Sequence, residues 1–254
     1  MLPTPTYGPS DFCFAGQKNE FFQINYNASA PAVPAKRTLD PYVTGTSVLA
    51  IKYKDGVMMT ADTLGSYGSL ARFKDLRRIR KLGDNTLIGG SGEYSDYQYL
   101  MTVLEELIDT DKAYEDGNKL RPQEIYSYLT RVMYGRRNKF DPLWNQLVVA
   151  GVRDGVSFLG YVDLVGTSFE EHTLATGYGA YLARPLLRKA WREDLTEEEA
   201  KKVLDDCMRV LFYRDARTIN RIQVAKVTEA GIEISEPYSL ETEWGFAENV
   251  LGYK

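Results

Sequence analysis

The 254-residue sequence has very little of the side chains on which most hydrolytic and metal sites depend. It contains one histidine, His172, and two cysteines, Cys13 and Cys207. Serine–histidine–aspartate, cysteine–histidine and histidine-ligated metal sites all need imidazole as a base or ligand, so a single histidine in a polar stretch disfavours each of them. Two cysteines so far apart exclude a disulfide framework or a zinc site and are typical of a reduced intracellular protein. We therefore expect no cofactor and no metal.

An excess of basic charge and long apolar runs are also lacking. The 31 lysines and arginines are outnumbered by 35 aspartates and glutamates, which gives a net charge of −4. We therefore expect neither nucleic acid nor an anionic membrane as a partner, because both need a basic field. The apolar runs are far shorter than a membrane span. Hydrophobic content of 44% is ordinary for a globular protein with a core of normal size.

Prolines are concentrated near the start of the sequence. Six of the ten lie in the first 41 residues, which carry no sustained hydrophobic period. Residues 1–41 are predicted to be an extended or disordered, propeptide-like arm, with an aromatic stretch at 12–26 that could dock on a surface. The arm lacks the continuous apolar segment of a secretory signal. The globular domain is predicted to span 42–243 and a short C-terminal tail 244–254.

Beyond the arm, hydrophobic patterning predicts hairpins and helices. Hairpins are predicted around the turns Lys54–Gly56, Gly83–Asn85, Arg153–Gly155 and Glu229–Gly231. Helices are predicted at 94–109, 121–137, 180–191 and 196–215. This order of strands, two helices, strands, two helices and strands predicts an α+β fold in which two antiparallel sheets stack between two helical layers, an αββα sandwich.

Four stretches of sequence carry a family resemblance. The first is TGTSVLAIKYKDGVMMTAD, which begins at Thr44 and has the pattern expected at the start of a hydrolase with an N-terminal threonine nucleophile. The other three are GGSGEYSD, ATGYGAYLARPLLR and CMRVLFYRDAR. With them, residues 42–254 resemble the proteasome β-type subunits. The phrases VTGTSVL and LGSYGSLARF resemble a non-catalytic branch that fills the seventh position of the β ring. The resemblance implies the four-layer fold of the N-terminal-nucleophile hydrolases and a place in a seven-membered ring.

The resemblance also assigns site positions. Thr46 falls on the nucleophile, Asp62 on the aspartate beside the family's lysine, and Gly92 on the oxyanion glycine. Asp215 and Thr218 fall on the distal aspartate and serine. An active member of the family attacks with the threonine hydroxyl and uses that residue's own free α-amine as the base.

Two positions depart from the pattern and imply that the site is degenerate. Arg78 stands at the lysine position, and a guanidinium cannot share its proton as an ammonium can. Tyr178 stands where a small hydroxyl is expected, and its ring should crowd the nucleophile. While the preceding residue is attached, the nitrogen of Thr46 is a peptide amide and no base. Thr46 is interpreted as a relic, and Asp62 and Asp215 as structural residues paired with nearby arginines.

Three functions are open at this point. The first is a non-catalytic structural β subunit of the 20S proteasome core, supporting ring assembly and half-particle joining for ubiquitin-dependent degradation. The second is an active N-terminal threonine endopeptidase with an arginine-supported site, and the third is a stand-alone scaffold. The resemblance implies other α and β subunits as partners in a four-ring, 28-subunit particle, with assembly chaperones as further candidates. It also implies a location in cytoplasm and nucleus.

The C-terminal tail is rich in large apolar groups, which are Trp244, Phe246, Val250, Leu251 and Tyr253. The segment is too short to form a core, and such a cluster exposed to water favours association. It is interpreted either as folded back on its own domain or as an anchor in another subunit, which the resemblance places in the opposite β ring.

Overall fold

The computed structural model describes residues 41–115 and 117–245, in which thirteen strands and five helices occur. Residues 1–40 of the predicted arm lie outside the described residues. So do the tail residues Phe246, Val250, Leu251 and Tyr253, and the limits of the arm, domain and tail stay predictions.

The elements follow one another in the order that the sequence predicts. The strands are β1 (Val43–Gly45), β2 (Val48–Tyr53), β3 (Gly56–Asp62), β4 (Gly65–Tyr67), β5 (Leu70–Phe73), β6 (Ile79–Leu82), β7 (Thr86–Glu93), β8 (Asn145–Arg153), β9 (Val156–Val162), β10 (Ser168–Glu170), β11 (Thr173–Ala175), β12 (Ile222–Thr228) and β13 (Gly231–Ile234). The helices are α1 (Tyr94–Ala113), α2 (Pro122–Asn138), α3 (Gly179–Leu182), α4 (Arg184–Ala190) and α5 (Glu197–Arg214).

All strand pairs are antiparallel and form two sheets. The larger sheet has the order β10-β9-β8-β7-β1-β4-β5, with β6 paired to β7 beside β1. The smaller sheet has the order β11-β2-β3-β12-β13. The chain therefore passes from one sheet to the other between β1 and β2.

Three apolar clusters fill the spaces between four layers. One joins α1 and α2 to the larger sheet, a second joins α3, α4 and α5 to the smaller sheet, and a third lies between the two sheets. The run Leu147–Ala150 of β8 is fully buried, as expected for a strand covered on both faces. The predicted αββα sandwich with antiparallel sheets is confirmed.

The structure differs from the predicted elements in several regions, and β1, β10 and β11 are strands that the sequence does not predict. The single helix predicted at 180–191 is divided into α3 and α4 at Ala183, because Pro185 lacks an amide hydrogen and is accepted only in the first turn of a helix. The stretch 65–73, for which no strand was predicted, forms the hairpin of β4 and β5. In the part of the chain that the structure describes, no helix is both long and apolar enough to cross a bilayer.

Candidate functional site

Thr46 and Ser47 form the crossing between the two sheets. The strand just before them, β1, pairs with β7 along one edge and with β4 along the other. Gly45 lies opposite Gly92 of β7, and Thr44 lies opposite both Ser66 and Glu93. Residues 43–45 thus fill the groove between β4 and β7.

Arg78 lies beneath this crossing and is 2% exposed. Its Nη1 donates to the carbonyl oxygens of Thr46, at 2.8 Å, and Gly90, at 3.2 Å. Its Nη2 donates to the carbonyl oxygen of Ser47, at 3.1 Å, and forms an ion pair with Oδ1 of Asp62. A single ammonium could not reach four acceptors arranged in this way, whereas the planar fork of a guanidinium can.

Gly45 is required by the approach of Arg78. A Cβ at this position would lie 2.3 Å from Cδ of Arg78, and the arginine cannot move away without losing its four acceptors. Strand β1 and the buried side chain of Arg78 therefore pack against each other as one unit.

Asp62 ends β3 and is 1% exposed. Burial raises the pKa of Asp62 above its ordinary value, and the Arg78 guanidinium opposes that rise. Its Oδ2 accepts from the backbone amides of Ile219, at 3.3 Å, and Leu64, at 3.4 Å. The predicted pairing of Asp62 with an arginine is confirmed, and the carboxylate also fixes two turns.

The nucleophile position keeps a hydroxyl–carboxylate contact. Oγ1 of Thr46 donates to Oδ2 of Asp215 at 2.6 Å, and Oγ1 of Thr218 donates to the same oxygen at 3.0 Å. The amide of Arg217 donates to Oδ1 of Asp215 at 2.9 Å. The interpretation that Asp215 pairs with an arginine is wrong for the described residues, because its partners there are two hydroxyls and a backbone amide.

Gly92 has φ +91°, and a Cβ there would lie 2.0 Å from the carbonyl oxygen of Trp144. Glycine is needed for this backbone conformation and close approach. The position assigned to the oxyanion glycine pairs with Gly45 of β1 and also lines a cleft beside Thr46.

Tyr178 lies at the edge of a cleft of about 390 Å³ that Thr46, Gly92 and Trp144 also line. Its ring is 59% exposed and makes an edge contact with Tyr181. Tyr178 and Thr46 line the same cleft, and the crowding of Thr46 by this ring stays a prediction. Beside Tyr178, the hydroxyl oxygen of Ser47 accepts a hydrogen bond from the amide of Gly179 at 2.8 Å.

The charged groups beside the hydroxyl of Thr46 are already bonded. Asp215 accepts a hydrogen bond from that hydroxyl, and the guanidinium of Arg78 bonds to backbone carbonyls and to Asp62. While Gly45 is attached, the nitrogen of Thr46 is a peptide amide and cannot act as the base. Among the described residues, no cluster of three or more histidine, cysteine, aspartate or glutamate side chains is arranged to hold a metal ion.

Comparison with known proteins gives the family. The proteasome subunit family model matches residues 42–227. The chain belongs to the proteasome subunit family. It is 55% identical over 213 residues to proteasome subunit beta type-4 of Arabidopsis thaliana, covering 84% of this chain and 87% of that protein. It is 50% identical over 225 residues to the Xenopus laevis protein of the same name, covering 88% and 93%.

A yeast relative carries a different number in its name. The chain is 42% identical over 239 residues to proteasome subunit beta type-7 of Saccharomyces cerevisiae, covering 89% of this chain and 90% of that protein. The predicted resemblance to proteasome β-type subunits is confirmed by these relatives.

Glu93 is a site residue of this proteasome family member whose role the sequence did not indicate. Its Oε2 accepts from the amides of Tyr42 and of Val43, the latter at 3.0 Å. Its Oε1 accepts from the hydroxyl of Ser95, at 3.0 Å, at the start of α1. The carboxylate fixes the chain where it enters β1.

Trp244 is the one tail residue of the predicted anchor that the structure describes. Its ring makes edge contacts with Tyr213, at 4.9 Å between centroids, and Phe212, at 5.8 Å. Both partners belong to α5 of the same domain. Up to Trp244 the tail therefore lies on its own domain, and the role of the residues beyond stays a prediction.

Proposed function

We propose that this chain is a non-catalytic β subunit of the 20S proteasome core particle. The observation that carries this proposal is the pairing of β1 on both edges. A substrate peptide in an extended conformation would have to pair with β4 and β7, and residues 43–45 already occupy that groove. The nitrogen of Thr46 stays in a peptide bond as long as β1 remains attached, so the site has no base.

Arg78 supports the same conclusion independently. In an active site of this kind the lysine side chain faces the nucleophile's hydroxyl and helps to move its proton. Here the charged group at that position bonds to the carbonyl side of Thr46 and Ser47 and serves the backbone. The contact between Thr46 and Asp215 favours the alternative of an active endopeptidase, but it supplies an acceptor without an amine.

The proposed role is structural. The chain takes its place beside other α and β subunits in a four-ring, 28-subunit particle in the cytoplasm and nucleus, with assembly chaperones as transient partners. Active neighbours trim the arm upstream of Thr46 once two half-particles join. The relatives named proteasome subunit beta type-4 support this assignment through their identity with the domain.

Two measurements on assembled particles test the proposal. The mass of the mature chain should correspond to a start upstream of Thr46, whereas a chain beginning at Thr46 would support the endopeptidase alternative. Particles that carry Thr46→Ala should keep every peptidase activity of the wild type, because Thr46 supplies no nucleophile. The loss of one peptidase activity from correctly assembled Thr46→Ala particles would overturn the proposal.

A further inference from the structure

Phe140 is the most exposed large hydrophobic side chain among the described residues, at 90%. It follows the C-terminal end of α2, whose cap residue is Lys139. Single exposed apolar residues are common on protein surfaces and need no explanation by themselves. The backbone of Phe140 is what makes this one unusual.

The turn after α2 is a Schellman motif with phenylalanine in the position that favours glycine. The amide of Phe140 donates to the carbonyl of Arg137 at 3.1 Å, and the amide of Asp141 donates to the carbonyl of Arg136 at 3.2 Å. These are the two bonds that define the motif. The residue after the cap must then adopt a left-handed conformation, and Phe140 has φ +53°. A Cβ makes that conformation costly, and glycine or asparagine would avoid the cost.

The turn is also braced so that its shape is fixed. Nε of Arg136 donates to the carbonyl oxygen of Asp141 at 2.9 Å, and its Nη2 lies 3.2 Å from Oδ2 of the same residue. Two residues further on, Leu143 is buried in the cluster beneath α1 and α2. Phe140 is therefore the exposed tip of a rigid turn rather than part of a loose loop.

The surroundings of Phe140 indicate the chemistry of a partner. Tyr134, on the last turns of α2, is 50% exposed, and the guanidinium of Arg137 lies 5.7 Å from its ring centroid. The backbone of Gly166 supports Tyr134 from behind, since a Cβ there would lie 2.7 Å from Cβ of Tyr134. We call Tyr134, Arg137 and Phe140 the α2-end patch. It presents aromatic rings beside a positive charge, the composition of an interface centre.

We infer that the α2-end patch docks onto another subunit of the proteasome, with Phe140 inserted into an apolar pocket whose rim carries carboxylates. The ring of Phe140 does not stabilise the free domain and so does not offset the strain of the turn, because the residue is 90% exposed. A preformed apolar side chain lowers the entropic cost of association, which gives the phenylalanine at this turn a function. The basic residue beside it selects an acidic rim. This inference rests on the proposed function.

The decisive variant is Phe140→Gly in the full-length chain, supplied as the sole copy in cells. The melting temperature of the purified chain should stay equal or rise, because glycine relieves the left-handed backbone. Its incorporation into proteasome particles, measured on native gels, should fall on the order of tenfold, because the apolar knob is gone. Phe140→Leu keeps an apolar tip and should retain most of the incorporation.

Tyr114→Ala is the matched control, since Tyr114 is 72% exposed at the C-terminal cap of α1 but has an ordinary helical backbone. It should leave incorporation unchanged. Normal incorporation of Phe140→Gly would overturn the inference, as would a lowered melting temperature, which would assign the ring to its own domain. Self-association of the free wild-type chain that Phe140→Gly abolishes would point to a second copy and overturn the commitment to another subunit. If the wild-type chain itself is not found in proteasome particles, the proposed function fails instead.

Discussion

The entry strand and the exit segment of the described domain are similarly short but are held in different ways. At the entry, β1 is paired through its backbone on both edges, and Gly45 is buried against Arg78. At the exit, residues 241–245 have no strand partner among the described residues and lie along α5.

Side chains hold the exit segment. Nε of Arg209 donates to the carbonyl of Glu241 at 3.0 Å, and the hydroxyl of Tyr213 accepts from the amide of Glu243 at 2.8 Å. Trp244 adds its edge contacts but stays 46% exposed. Backbone pairing on both edges thus makes β1 an integral part of the larger sheet, whereas side-chain contacts hold residues 241–245 only on the surface of α5.

The largest effect should come from removing the residue beneath the entry strand. We expect Arg78→Ala to lower the free energy of unfolding by about 3–5 kcal/mol, because Asp62 is left as a buried, unpaired carboxylate. Denaturant titration of the full-length chain measures this. Arg77→Ala is the matched control: its ion pairs with Asp75 and Glu236 are on the surface, and it should cost less than about 1 kcal/mol.

A double-mutant cycle sharpens this prediction. Asp62→Asn should cost less in the Arg78→Ala background than in the wild type, because its charge partner is already gone. Equal costs in both backgrounds would mean that the two side chains act independently, contrary to the ion pair.

The next effect should come from Gly45→Ala, which places a methyl group against Cδ of Arg78. We expect a loss of about 1–3 kcal/mol from overpacking, since the arginine is tied to four acceptors. Gly135→Ala is the control of opposite sign. A Cβ at Gly135 meets nothing within 4 Å inside α2, so this variant should gain about 1 kcal/mol of helix propensity. A harmless Gly45→Ala would show that Arg78 is free to move.

A smaller and more local effect should follow Glu93→Ala. This change removes the acceptor for the amides of Tyr42 and Val43, and we expect their hydrogen exchange to become about tenfold faster or more. Glu229→Ala removes a carboxylate that accepts from the amide of Gly155 on a different hairpin, and it should leave both amides unchanged. Unchanged exchange in Glu93→Ala would mean that strand pairing alone holds the entry.

The smallest effect should come from the exit segment. Trp244→Ala should cost at most about 1 kcal/mol, because the residue is 46% exposed and its contacts with Phe212 and Tyr213 are edge-on. Trp191→Ala should cost more, since that indole donates to the carbonyl of Lys52 and packs against the core beneath α5. If the melting temperature of Trp244→Ala were as low as that of Trp191→Ala, the exit segment would be an integral part of the domain.

Much of this architecture is predictable from local pattern. α1, α2 and α5 are long enough for a 3–4 spacing to emerge, and each predicted hairpin has a turn that includes glycine or asparagine. The break between α3 and α4 depends on one proline, and β1 is three residues long, too short for an alternating pattern. Its strand character comes from partners at 66–67 and 92–93, which no local window contains.

The sequence predicts which residues meet at the candidate site but not which of their atoms form hydrogen bonds. The family pattern places Thr46, Arg78 and Asp215 near one another, and Thr46 is hydrogen-bonded to both of the others. That Arg78 bonds to backbone carbonyls, and that Glu93 holds the entry strand, depend on the path of the main chain. Residue identity alone does not reveal which side of a threonine a guanidinium will face.

The place of β1 in the larger sheet gives the bond between Gly45 and Thr46 a structural consequence. In the described residues, the hairpin of β4 and β5 reaches the rest of the larger sheet through β1 alone. Freeing the nitrogen of Thr46 means cutting the chain directly after β1, so the strand that connects this hairpin to β7 would lose its covalent link to β2. The bond between Gly45 and Thr46 is therefore both the bond that an active family member would have to cut and the bond that carries β1 into the crossing between the two sheets.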